Sequence, residues 1–185
     1  MALTESNMLA LGTEAPNFSL QDTVSGRYLS LDDLASERAT VVMFICNHCP
    51  FVIHVNSEII KIANEYRNKG VSFIAVSSND VKNYPEDAPD KMSIVAKVLK
   101  FPFPYLYDKR QTMARDYHAA CTPDFYVFDG DRKLTYRGRL DDSRPGNGVP
   151  LSGRDLRGAI DLTLEGKKIE SQYPSAGCNI KWLNN

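Results

Sequence analysis

Two runs with the character of buried strands flank one amphipathic helix, and nothing else in the chain restricts its fold as tightly. Residues 40–45 (TVVMFI) and 71–76 (VSFIAV) are apolar on both faces and rich in β-branched side chains, as strands covered on both sides must be. Between them Phe51, Val55, Ile59, Ile62 and Tyr66 recur at spacings of three and four, the helical period. Pro50 suits the first helical turn, where its missing N–H removes no bond, and Gly70 suits the stop. Residues 40–76 therefore form a β-α-β unit, which implies a parallel strand pair and a right-handed crossover.

The flanking segments extend this unit into one α/β domain. Residues 15–20 (APNFSL) and 27–31 (RYLSL) alternate apolar with polar around a turn-rich stretch, predicting an N-terminal β-hairpin, and residues 32–34 predict a short helical turn. Residues 79–89 are polar, contain two prolines and read as a loop. Residues 90–100 predict a helix whose apolar side is Ile94, Val95, Val98 and Leu99. A short strand at 105–107 and a helical turn at 112–117 follow. Residues 125–128 and 133–137 flank Asp129, Gly130 and Asp131, a second hairpin signal, and residues 155–165 supply a last helix. The expected division is a domain over residues 1–170, with its N-terminal extension, and a C-terminal tail over 171–185.

Composition narrows the function classes. The chain has 185 residues, 22 Lys and Arg against 23 Asp and Glu, and no basic block, so a nucleic-acid-binding surface is not expected. Its longest apolar run, residues 41–46, falls far short of the roughly 20 residues needed to cross a bilayer. Residues 1–12 lack Lys and Arg and hold only a brief apolar stretch, so no signal peptide or membrane association is expected. A cytoplasmic location follows as the expectation, where thiols stay reduced and disulfides are transient or catalytic. Four cysteines are too few to staple a secreted fold, but enough for chemistry.

Two of them, Cys46 and Cys49, form a C-x-x-C that begins where the first buried strand ends and the helix starts. A helix N-terminus carries about half a positive charge and free N–H groups, both of which stabilise a thiolate. A zinc site would need a second ligand pair, and neither Cys121, Cys178 nor the histidines form one by spacing; haem attachment would need His where Pro50 stands. No Gly-rich phosphate loop is present, so no metal or organic cofactor is expected.

The strand-C-x-x-C-helix segment, the N-terminal hairpin, and Cys121-Thr122-Pro123 followed by a strand hairpin together resemble a thioredoxin-fold protein. More narrowly they resemble the peroxiredoxin-like redoxins with an alkyl hydroperoxide reductase/thiol-specific antioxidant type domain, over roughly residues 11–164. The resemblance implies a thioredoxin-like α/β fold, with a central mixed sheet flanked by helices and a cis-proline at Pro123 facing the cysteines. Thioredoxins carry Trp before the first cysteine and Gly-Pro between the two, where this chain has Ile45, Asn47 and His48. Peroxiredoxins carry Pro-x-x-x-Thr/Ser-x-x-Cys; aligned on Cys49, Val42 replaces the proline and Cys46 the threonine, while Cys49-Pro50 matches.

Two mechanisms follow from the resemblance. In a thiol-disulfide oxidoreductase, Cys46 is the exposed nucleophile and Cys49 resolves the mixed disulfide. In a thiol peroxidase, Cys49 attacks a hydroperoxide and Cys46 condenses with the resulting sulfenic acid. Both end in a Cys46–Cys49 disulfide, and both imply a thiol reductant such as a thioredoxin or glutathione system. A non-enzymatic metal-binding module is the third reading. His48, if protonated, would stabilise the thiolate, and Thr122, Pro123 and Cys121 are auxiliary candidates, with a buried structural thiol as the alternative for Cys121. Cys178 reads either as a tail thiol without a role or as a resolving cysteine of the kind some peroxiredoxins keep there. His54 reads as solvated and His118 as structural. Arg137 and Arg139 read as surface arginines paired with Asp141 or Asp142, and Asp108 and Asp124 have no visible partner.

Overall fold

The computed structural model describes residues 3–183. In chain order, β1 (Leu3–Glu5) precedes the hairpin of β2 (Ser19–Asp22) and β3 (Tyr28–Ser30). Helical turn α1 (Leu31–Leu34) is closed by a reciprocal cap between Ser30 and Asp33, which satisfies two otherwise free N–H groups. The β-α-β unit follows as β4 (Ala39–Phe44), α2 (Pro50–Arg67) and β5 (Val71–Ser77), then a 3-10 turn over Pro85–Asp87 and helix α3 (Pro89–Val98). The rest comprises β6 (Tyr105–Tyr107), α4 (Thr112–Asp116), β7 (Cys121–Thr122), the hairpin β8 (Asp124–Asp129) and β9 (Leu134–Gly138), α5 (Arg154–Leu164) and β10 (Ala176–Asn179).

Seven strands form a mixed sheet in the order β3-β2-β6-β5-β4-β8-β9, in which β4 pairs parallel with β5 and antiparallel with β8. Because side chains alternate across a strand, Val41 and Met43 of β4 enter one core with α2, α3 and α5. Val42 and Phe44 enter a second core with Leu31 and the Met113–Tyr117 region on the opposite face. Central β4 is thus sealed on both sides, and its end delivers Cys46 to the top of the sheet. Among the described residues, no helix is long and apolar enough to cross a membrane.

Three expectations need correction. Helix α3 buries Met92 and Ala96, and Ile94, Val98 and Leu99 lie exposed. A ten-residue helix at the edge of a core packs along a single i, i+4 row, and four apolar residues did not define which row that is. Arg137 is not a surface residue: its side chain is fully buried against Asp124 at 2.9 Å, while Arg139 pairs with Asp155 at 2.7 Å. Asp141 instead accepts the backbone N–H groups of Ser143, Ser152 and Gly153. Asp108 and Asp124 both have partners, Asp108 tying β6 to α4 by accepting from Ser78 and from the Thr112 and Ala114 N–H groups. Apart from these, residues 176–179 form β10 in a small antiparallel sheet, β1-β10-β7.

Candidate active site

Cys46 follows β4 by two residues, after Ile45 has extended the sheet by donating to the Val76 carbonyl at 2.9 Å. Cys49 caps α2 with extended backbone angles, and Pro50 occupies the first helical position. The chain therefore turns from strand to helix within the C-x-x-C itself, bringing both sulfurs to the start of the helix. Thr122-Pro123 is a cis peptide and lies across from them. The Thr122 hydroxyl sits 3.6 Å from Cys46 Sγ, and its carbonyl oxygen lies 3.3 Å from Cys49 Sγ, close enough to accept from it while it is protonated.

All four cysteines are buried, and none is in a disulfide. Cys46, expected as an exposed nucleophile, is only 2% exposed, and Cys49 is fully enclosed. The charge falls on Cys49. Donation from the Cys46 thiol, outweighing burial, and further bonds from the Thr122 hydroxyl, the Cys178 thiol and the Val52 N–H lower the Cys49 thiol to about 4. Cys46 is pushed the other way, first by its bond to Cys49, then by burial and by the negative charge of Asp87.

His48 does not reach toward the thiolate as a simple cationic neighbour. Its Nδ1 lies 2.6 Å from Asp87 Oδ2, and its ring stacks on Tyr84 with centroids 5.5 Å apart. Asp87 is wholly buried and accepts the Asn47 N–H at 2.8 Å, the His48 N–H at 3.3 Å and the Asn79 amide at 2.7 Å. Asn47 in turn donates to the Glu86 carbonyl and accepts from the Tyr105 hydroxyl. The loop over residues 79–89 thus holds the dipeptide between the cysteines. Asp87, Asn79, Tyr84 and Tyr105 were not singled out by sequence, because each meets the turn only through long-range contacts.

Cys46, His48 and Asp87 place donor atoms within 4.8 Å of one another. The Asp87 oxygens are already engaged by N–H donors, so a metal there would have to displace the contacts that shape the turn. Cys121 directs its sulfur to the Pro123 and Ser175 carbonyls, at 4.0 and 3.9 Å, and not to the pair. Arg137 is bound to Asp124 and to the His118 carbonyl, away from the thiolate, whereas His54 is half-buried and bonded to Ser143.

A mixed sheet whose central strand ends in a dithiol opposite a cis-proline defines a thiol-dependent redox protein of the thioredoxin-like class. The comparisons agree. A family model matches residues 11–137, and the chain belongs to the AhpC/TSA family. It is similar to an uncharacterized conserved protein from Geobacillus kaustophilus, at 55% identity and TM-score 0.98 over 100% of this chain and 98% of that one. A hypothetical protein from Sinorhizobium meliloti is 42% identical, with TM-score 0.95 over 98% and 100% of the two chains. The thioredoxin domain of a thiol-disulfide oxidoreductase from Bacteroides vulgatus shares the fold at 18% identity and TM-score 0.66, over 85% and 99%. No curated protein matches the chain.

Proposed function

We propose that the protein is a cytoplasmic thiol-disulfide oxidoreductase that cycles Cys46 and Cys49 between dithiol and disulfide. The observation that carries this reading is the placement of both sulfurs at the strand-to-helix turn, each in contact with Thr122 beside the cis peptide, and with Cys49 at the helix start. We assign the first attack to Cys49, which stands at the start of α2 beside the Thr122 hydroxyl, although both sulfurs are enclosed in the resting fold: its thiolate bonds to one sulfur of a substrate disulfide and expels the other as a thiolate. Cys46 then gives up its proton and attacks Cys49, releasing the second substrate thiol and closing the Cys46–Cys49 bond. Thr122 contacts both sulfurs, His48 and Asp87 hold the turn, and Pro123 borders the approach. A thioredoxin or glutathione system would restore the dithiol.

A second reading, thiol peroxidase, draws on the low value for Cys49 beside Pro50 and on the family. There Cys49 attacks a hydroperoxide, an alcohol leaves, and the sulfenic acid condenses with Cys46 to release water. It ranks second because the buried arginine that could steady the thiolate, Arg137, is committed to Asp124.

Cysteine variants test the scheme. The Cys46→Ser/Cys178→Ser protein, which keeps Cys49 but neither thiol that touches it, should trap a mixed disulfide with a substrate through Cys49, whereas Cys49→Ser should lose turnover by about 10³-fold or more. Trapping only by Cys49→Ser, through Cys46, would reverse the order of attack. Peroxide consumption outpacing protein-disulfide reduction would favour the peroxidase.

A further inference from the structure

We propose that Cys178 is a third redox residue, which exchanges with the Cys46–Cys49 disulfide to form a Cys49–Cys178 bond and free Cys46; this rests on the dithiol reading above. The register of β10 carries the inference. Cys178 lies directly opposite Thr122 in the β10–β7 ladder, and Asn179 lies opposite Cys121. Opposed residues of an antiparallel pair project to the same face. Thr122 projects to the sulfurs of the pair, so Cys178 does too, and Cys121, one residue earlier on β7, projects away from them.

Close approach is secured by Gly177. A Cβ there would run into the Thr122 carbonyl, and it would lie 3.4 Å from the Pro123 ring. Only glycine lets β10 settle against the cis-proline segment, which puts the 97%-buried Cys178 in hydrogen-bond contact with Cys49. In the reduced protein, burial and donation to Cys49 push the Cys178 thiol up to about 12, opposed by Lys181. Oxidation of Cys49 to a disulfide removes the thiolate that Cys178 was donating to. Burial and the lysine then remain, and the thiol becomes easier to ionise at the moment a target sulfur stands beside it.

The exchange is balanced within the chain. The Cys178 sulfur bonds to Cys49 Sγ, the Cys46–Cys49 bond breaks, and Cys46 departs as a thiolate that takes up the proton Cys178 lost. No oxidant is consumed, since one disulfide replaces another. The Cys46 thiol, beside the Asn47-His48 dipeptide, is returned for a further exchange while the oxidised state remains stored at Cys49.

The full-length Cys46→Ser protein, treated with oxidised glutathione, tests this. Attack by Cys49 releases one glutathione, and attack by Cys178 on the mixed disulfide releases the second. Non-reducing peptide mapping should then show a Cys49–Cys178 linkage as the main oxidised product. Cys46→Ser/Cys178→Ser should stop at glutathionylated Cys49, and Cys46→Ser/Cys121→Ser should behave as Cys46→Ser. In the oxidised wild type, acid quenching and alkylation should find a fraction of chains with Cys46 free, a fraction abolished by Cys178→Ser. Cys46→Ala repeats the arm if the serine variant misfolds, as judged by circular dichroism. A free, alkylatable Cys178 in oxidised Cys46→Ser, or a linkage to Cys121 in its place, would overturn the proposal. Failure of the wild type to form Cys46–Cys49 under the same oxidant would instead overturn the dithiol reading, independently of what Cys46→Ser does.

Discussion

Pro123 stands between two buried polar clusters that treat charge in opposite ways. Before it, Thr122 faces Cys46 and Cys49; after it, Asp124 faces Arg137. The Asp124–Arg137 pair is fully enclosed, and the guanidinium also lies over the Tyr126 ring at 4.6 Å. Burial still raises Asp124 to about 6, although Arg137 pulls the other way. Around Cys49 the donors are thiols, a hydroxyl and one backbone N–H. A full cation beside a buried anion fixes both groups in place, since neither can leave without stranding the other. Neutral donors lower the pKa of the sulfur without locking it, and a donor that is itself a thiol can become its covalent partner. Two residues apart on one segment, the same burial serves structure on one side of the proline and chemistry on the other.

The comparison is broken most sharply by Arg137→Leu. Leaving Asp124 buried and uncompensated should cost about 3–5 kcal/mol in a urea titration, while the rate of Cys49 alkylation in the folded fraction stays the same. A large loss of thiol reactivity without loss of stability would join the two clusters into one site. Asp87→Asn should have a smaller effect. It removes the negative charge that disfavours ionisation of Cys46, so the ratio of Cys46 to Cys49 alkylation should rise on the order of tenfold, as read by peptide mapping. An unchanged ratio would mean that Asp87 only shapes the turn.

A separate effect is expected on the pH dependence of stability. Cys49 titrates at about 4 when folded, against about 8.5 for an ordinary thiol. Between those values the unfolded chain holds a proton that the native state lacks, so this group's contribution grows as pH rises and is lost as pH falls through about 4. Asp124 has the opposite sign: its folded value of about 6 lies above that of a free carboxyl, so its contribution declines as pH rises through that window. The stability gap between wild type and Cys49→Ser should therefore widen in favour of wild type from pH 5 to 8. A gap that is flat with pH would show that Cys49 is not ionised in the fold.

What was legible in the chain was local. Apolar runs marked β4 and β5, the period of α2 lay between them, and Cys46 and Cys49 fell at their junction because the junction is a property of consecutive residues. Both hairpins were readable for the same reason. The phase of α3 was not, since Met92 and Ala96 are chosen by the surface they pack on. Nor was the burial of Arg137, because an arginine reads as exposed until a partner such as Asp124 is brought to it. The loop over residues 79–89 looked featureless, yet Asp87 crosses about 40 residues of sequence to hold Asn47 and His48.

The sequence by itself determined a strand-dithiol-helix unit, and with it the kind of chemistry available, because periodicity and helix capping act over neighbouring residues. Tertiary structure alone decided which sulfur carries the charge and which third thiol meets it. Those outcomes depend on fields and contacts between β10, β7, the Asp87 loop and the start of α2, which only folding brings within a few ångströms.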